Sequence, residues 1–263
     1  MSRPPAVLAA LLVAGTAAAQ EAPVQAPFIT TPPEVVARML ELARTGPEDF
    51  VIDLGSGDGR IVIRAAAAHG ARGLGVDLDE RLVAEATRNA ERAGVAERVR
   101  FVAGDALRTD LGEATVVTAY LLPFLLEQLE PRLLAQLRPG SRVVTHAFAL
   151  PGWLPEAVET VKLSQRHTGQ GDTSKLFSYV VPAQARGTWR APGGWQLVIW
   201  QDRQRIDVDA SRGGQPVTLR LAQLRADRIR LEGAGFSFSG RVAPERIEGE
   251  LSGAGELVFE RAR

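Results

Sequence analysis

Residues 50–60 read Phe50-Val51-Ile52-Asp53-Leu54-Gly55-Ser56-Gly57-Asp58-Gly59-Arg60, and this stretch decides the fold. A short apolar run carries an acid, breaks on Gly55 and passes two more glycines at spacing two. RIVIRAAAAHG (60–70) then takes up a helical pattern that closes on Gly70. Glycine lets the backbone pass close beneath a ligand, and a helix that opens beside it presents unpaired N–H groups. A dinucleotide-binding turn needs G-x-G-x-x-G, yet the position three after Gly57 is Arg60. Taken alone, the loop reads equally as a tight strand-to-helix turn.

The sequence around it alternates strands and helices. TTPPEVVARMLELA (30–43) predicts a helix capped by Thr31, with Pro32 at its first position and Glu34 three residues after the cap. DFVIDLG (49–55), ARGLGVDLD (71–79), VRFVAGDAL (99–107), ATVVTAYLL (114–122) and SRVVTHAFAL (141–150) read as strands. ERLVAEATRNAERAGV (80–95) and PFLLEQLEPRLLAQLRPG (123–140) read as helices. This order specifies an α/β fold, a parallel sheet built by right-handed crossovers with helices on both faces. Ligands then bind outside the carboxyl ends of the strands. Asp53, Asp77 and Asp105 stand at three consecutive strand ends. The Asp77 carboxylate is placed to accept both hydroxyls of a ribose. After Leu150 the helix expected before a sixth strand is short or missing in PGWLPEAVETVKLSQ. A polar link and KLFSYVVP (175–182) then complete a closing hairpin, and Pro182 marks a domain boundary.

The pattern D-x-G-x-G-x-G resembles motif I of class I S-adenosylmethionine (SAM) dependent methyltransferases. TPPEVVARMLELA, VIDLGSGDGRIVI, GVDLDERLV, VVTAYLLP and the stretch from His146-Ala147-Phe148 to Trp153 narrow the resemblance. Over residues 28–182 the chain is similar to a bacterial family related to the lysine methyltransferases of the ATP synthase c subunit. The resemblance implies a Rossmann-like methyltransferase sheet and SAM as cofactor. It also implies an acceptor that is a protein lysine, another amine or a small molecule. By position it places Thr30, Thr31, Asp53, Gly55, Ser56, Gly57, Gly59, Asp77, Asp105, Ala106 and Tyr120 around the cofactor, with Leu122 and Pro123 toward the acceptor. Relatives often carry Glu where this chain has Asp77.

Methyl transfer from a sulfonium is an in-line displacement with a good leaving group, so positioning and exclusion of water supply most of the acceleration. A missing acid–base dyad is therefore no objection. Tyr120 either lines the acceptor channel, stacks near the cofactor or belongs to the core. His146 either shuttles a proton from an acceptor amine or is a hydrogen-bonded histidine on the sheet rim. Trp153 reads as a lid or as packing against the first helix. No N-P-P-[YF] follows the fourth strand, where amide and exocyclic-amine methylases carry it.

Residues 183–263 have another texture. WQLVIWQ, RIDVDA, PVTLRLAQL, RIRLEG, FSFSG, RIEGELS and ELVFERA alternate in period two between Gly-, Pro- or Asp-containing turns, which predicts a small all-β barrel or sandwich. Gly187-Thr188-Trp189-Arg190 with Arg261 and Arg263 resembles the lipocalin-type closure, in which a first-strand Trp stacks under a C-terminal Arg. A barrel of this size is expected to be filled by side chains and to serve structure or substrate docking. Every candidate cofactor contact lies between Thr30 and Pro123, so removing residues 183–263 is expected to leave SAM affinity nearly intact.

The 263 residues balance 31 Lys+Arg against 31 Asp+Glu, which leaves no footprint for a nucleic-acid backbone or an anionic membrane. The absence of Cys excludes disulfides, Cys-ligated zinc, iron–sulfur clusters and thiol-dependent base methylation, and no metal site is expected. MSRPPAVLAALLVAGTAAAQEAP (1–23) has the layout of a secretory signal, with Arg3, an apolar run from Ala6 to Ala19 and an A-x-A site at 17–19. That run is shorter than the ~20 residues of a membrane span, so no permanent anchor is expected. The division is a signal peptide over 1–19, a methyltransferase domain over 20–182 and the β domain over 183–263. A periplasmic location follows, and a cytoplasmic one if residues 1–19 are only an N-terminal arm. Two functions follow: a SAM-dependent methyltransferase acting on an envelope protein or a small molecule, or an exported SAM- or nucleoside-binding protein without catalysis whose β domain binds a partner.

Overall fold

A computed structural model describes residues 29–167 and 171–262, so the signal segment and Arg263 lie outside the described residues. Helix α1 (Pro33–Leu42) leads into β1 (Phe50–Leu54), α2 (Arg60–His69), β2 (Arg72–Asp77), α3 (Glu80–Arg92) and β3 (Val99–Ala103). Strand β4 (Val116–Ala119), α4 (Pro123–Gln136), β5 (Arg142–His146), β6 (Ala157–His167) and β7 (Gly171–Val180) follow. The seven strands form one sheet in the order β3-β2-β1-β4-β5-β7-β6, in which β7 alone runs against the others. Central strands β1 and β4 are buried along their length because both their faces are covered, and their polar residues Asp53 and Thr118 bond each other.

Helices cover both faces unequally. Val35, Met39 and Leu40 of α1 and Ile61 and Ala65 of α2 pack with Val51, Val116 and Val144, while α3 joins the same side through Ala90. The opposite face, with Ile52, Leu74, Val117 and Val143, meets Leu126, Leu129 and Leu133 of α4 and the loop residue Trp153. No helix forms between β3 and β4, where residues 104–115 cross in irregular structure.

Two expectations need correction. Thr31 does not cap α1: the N-cap is Pro32, without a side-chain hydrogen bond, and Pro33 is the first helical residue. The Thr31 hydroxyl is taken by His146, and α1 draws its stability from a buried face rather than from its cap. As expected, the segment 151–165 holds no helix, and from Ala157 onward it is strand β6, paired antiparallel with β7 with a register shift between Lys162 and His167. Trp153 packs on Tyr179, ring centroids 5.3 Å apart, and not on α1.

From Gly187 the chain forms a second, nearly closed sheet. Its strands are β8 (Gly187–Ala191), β9 (Trp195–Asp202), β10 (Arg205–Arg212), β11 (Gln215–Val217), β12 (Leu219–Arg225), β13 (Arg228–Gly233), β14 (Phe236–Val242), β15 (Arg246–Leu251) and β16 (Gly255–Arg261), in the order β11-β10-β9-β8-β16-β15-β14-β13-β12. The expected strand PVTLRLAQL divides at Thr218, with a register shift between Leu219 and Leu221. Trp189, Leu197, Phe238 and Phe259 fill the interior. The Arg261 guanidinium lies 4.1 Å from the centre of the Trp189 ring and donates to the carbonyls of Gln184, Arg186 and Pro244.

Candidate functional site

The carboxyl ends of β1, β2 and β4 open onto a cavity of about 690 Å³. That volume is ordinary for a small-molecule site. Its floor is the glycine loop. Gly55, Gly57 and Gly59 have φ of 77°, 53° and 81°, the left-handed region that side chains avoid. A Cβ on Gly55 would stand 3.0 Å from Leu121, so the loop stays low only with glycine there. The amides of Gly55 and Ser56 both donate to the Val76 carbonyl, which fixes the loop to β2.

Asp77 ends β2 on the wall. One carboxylate oxygen accepts from the Gly57 amide at 2.8 Å and the other from the Asp79 amide at 3.0 Å. A carboxylate offers about four acceptor positions, so two remain for hydroxyl groups of a ligand. Asp105 turns the chain after β3 by accepting from the Leu107 amide at 2.8 Å, and Ala106 lies beside it in the wall. Asp53 is 2% exposed and accepts from the Thr118 hydroxyl at 2.7 Å. Burial, reinforced by the nearby Asp77 and Asp58, pushes it up to about 7. Ser56 lines the cavity with its hydroxyl buried.

Thr30 and Thr31 line the cavity, and Thr31 is held by both its hydroxyl and its carbonyl. The Thr31 hydroxyl meets His146 Nδ1 at 3.2 Å, and Arg60 donates to the Thr31 carbonyl at 2.8 Å while pairing with Asp58. Tyr120, Leu121, Phe124, Leu125 and Gln128 form the far wall.

The cavity thus collects Thr30, Thr31, Asp53, Gly55, Ser56, Gly57, Asp77, Asp105, Ala106 and Tyr120. Gly59, Leu122, Pro123 and His146 stand outside its lining. Gly59 is where α2 and α3 approach β3, since a Cβ there would fall 2.7 Å from Phe101 and 2.8 Å from Ala86. Leu122 caps α4 and Pro123 begins it. His146 is fully buried beneath Tyr120, ring centroids 4.1 Å apart, with Nε2 3.2 Å from the Ser174 hydroxyl. Sequence reasoning missed Arg60, Asp79, Phe124 and Gln128. Asp79, which caps α3 through the Arg81 amide, was open to discovery from the acid two places after Asp77. Among the described residues no helix is long and apolar enough to cross a membrane.

The ANTKMT methyltransferase domain, as a family model, matches residues 53–157. A protein-lysine N-methyltransferase of Saccharolobus islandicus is 44% identical over 137 residues, 52% of this chain and 85% of the relative. The human lysine N-methyltransferase of the ATP synthase c subunit is 34% identical over 167 residues, 60% of this chain and 70% of the relative. A crystal structure of an RNA methyltransferase from Salinibacter ruber in complex with S-adenosyl-L-homocysteine is 47% identical. It superposes with a TM-score of 0.53, covering 59% of this chain and 95% of that one. Glycine loop, strand-end acids, sheet order and relatives agree: the chain belongs to the methyltransferase family of these lysine N-methyltransferases and is a class I SAM-dependent methyltransferase.

Proposed function

We propose that the chain methylates the side-chain amine of a protein lysine, and that it does so outside the cytoplasm. The observation that carries the acceptor is the relation to the lysine N-methyltransferase that this chain spans over 85% of its length. The wall of Leu121, Phe124 and Leu125 supports it, because an aliphatic lysine stem packs on apolar surface while its head reaches the reacting centre. The zero net charge speaks against RNA, whose binding rests on phosphate neutralisation. Location rests on the signal layout of residues 1–19.

In this reading Gly55, Ser56 and Gly57 carry the cofactor on backbone, Asp77 takes its ribose and Asp105 with Ala106 its base. Thr30 and Thr31 close over it, and Tyr120 separates it from the acceptor channel. SAM supplies an electrophilic methyl on a sulfonium. The chain's part is to orient and to exclude water. Desolvation along the apolar wall favours the neutral amine, which is the nucleophilic form. His146 acts through Tyr120 and Thr31, which it holds in place from below.

The test is transfer of tritiated methyl from SAM to envelope extract by the purified protein. Label that survives ribonuclease, is released by protease and co-migrates with methyl-lysine after hydrolysis is the expected result. Label in RNA or in small molecules overturns the acceptor. Full-length chain in the cytosol of the native host, in place of a form starting near Gln20 in the periplasm, overturns the location.

A further inference from the structure

Helix α4 lines the cavity with its first half and is weak in its middle. Phe124, Leu125 and Gln128 face the site, while Leu133 and Leu137 lie in the core. Between them Pro131 lacks the N–H that would bond the Glu127 carbonyl. Beside the proline stands Glu130, 4% exposed. Its Oε1 accepts from Arg203 Nε at 2.5 Å, and its Oε2 is buried without a hydrogen-bond partner. Burial raises the carboxylate's pKa, and Arg203 opposes that rise. Glu127 on the same helix and Asp202 on the opposing hairpin add like charge.

Arg203 comes from the second sheet. It occupies the tip of the β9–β10 hairpin at φ 56°, a conformation a non-glycine residue keeps only when its surroundings hold it there. Its guanidinium also lies against Gly152, where a Cβ would come within 2.8 Å of Nη2. Its neighbour Gln204 donates to the Leu154 carbonyl at 2.6 Å. One hairpin tip therefore grips both α4 and the loop after β5.

We propose that Arg203 is a positioning residue for the methyl-transfer site: by neutralising Glu130 it sets the cavity-lining half of α4, so that the β domain governs a site it does not touch. Without the guanidinium, a buried carboxylate is left without its counter-charge at the turn where the helix is already short of a hydrogen bond. That turn opens toward water and carries Phe124 and Gln128 with it. The proposal rests on the cavity being the cofactor site, so S-adenosylhomocysteine binding to the unmodified protein is the control that separates the two.

The test uses the full chain and the variants Arg203→Gln, Arg203→Lys and the pair Arg203→Gln with Glu130→Gln. Amide hydrogen exchange over 125–129 and over α2, with calorimetry of S-adenosylhomocysteine, are the readouts. In Arg203→Gln, exchange over 125–129 is expected to rise at least about tenfold with α2 unchanged, since local opening is independent of the rest. The dissociation constant is expected to rise about fivefold. Arg203→Lys falls between, and the neutral pair returns both readouts to within about twofold, because no buried charge is left unpaired. A folded Arg203→Gln with unchanged exchange and affinity overturns the proposal, as does equal acceleration in α2 and α4. Should Arg203→Gln not fold, a folded neutral pair that fails to restore affinity overturns it equally.

Discussion

In the first sheet and its helices the buried positions include Asp49, Asp53, Glu130, His146 and several Ser and Thr. In residues 183–262 every buried side chain among the described residues is apolar. The two regions solve the problem of the interior differently. A parallel sheet ends in loops that leave room at its carboxyl edge, and its polar groups there are bonded but not used up, as Asp77 illustrates. The nearly closed barrel has no such edge and fills its axis with Trp189, Phe238 and Phe259. The cavity belongs to the first region, and the second meets that region through Arg203 and Gln204.

The sharpest way to test this contrast is to damage the barrel and read the site. Trp189→Ala removes a fully buried ring, its bond to the Ala185 carbonyl and the seat of Arg261. A loss of about 3–5 kcal/mol is expected in denaturant melts. If the barrel reaches the site only through Arg203, S-adenosylhomocysteine affinity measured below the melting range stays within a few fold. A loss under ~1 kcal/mol would show that the barrel does not depend on this closure.

Next comes damage to the site itself. Asp77→Ala removes the acceptor of two loop amides and the group assigned to ribose. The expected cost is about 1.5–3 kcal/mol, or roughly 10- to 150-fold in SAM affinity by calorimetry. Equal affinity in the variant would remove Asp77 from the site.

A subtler difference is a pH slope carried by one region. Burial raises Asp53 from its ordinary range to about 7. Between those values the folded chain holds a proton that the unfolded chain has released. Asp53's contribution to stability is thus fully present below its unfolded pKa and is lost as pH rises through about 7. Thermal melts from pH 5 to 8 should show a decline in the wild type that Asp53→Asn lacks. Parallel curves would mean that Asp53 is ionised in the folded state across this range.

The smallest effect lies at the interface. Arg225 and Glu156 pair across the two sheets at 3.1 Å, with the arginine side chain 61% exposed. Arg225→Ala is expected to cost less than ~0.5 kcal/mol and to leave cofactor affinity unchanged. A measurable loss of affinity would mean that the sheets communicate through more than the Arg203 contact.

Local chemistry made much of this legible in the sequence. The loop of Gly55, Gly57 and Gly59 is written in the residues because only glycine takes three left-handed turns so close together. Asp53, Asp77 and Asp105 are placed by strand ends, and strand ends follow from short-range periodicity. The Trp189–Arg261 stack was expected from the resemblance of Gly187-Thr188-Trp189-Arg190 and Arg261 to a lipocalin-type closure.

What the tertiary structure alone decided depends on partners far apart in the chain. Thr31 is an ideal cap by sequence, but His146, 115 residues away, takes its hydroxyl. The register of β6 on β7, with its shift between Lys162 and His167, is set only by the pairing itself. Nothing near Glu130 in the sequence names its partner, Arg203, which lies 73 residues later and meets it in a part-buried contact. Periodicity reports which face of an element is apolar. It carries no record of which distant group will stand against that face, and burial, pairing and pKa are set there.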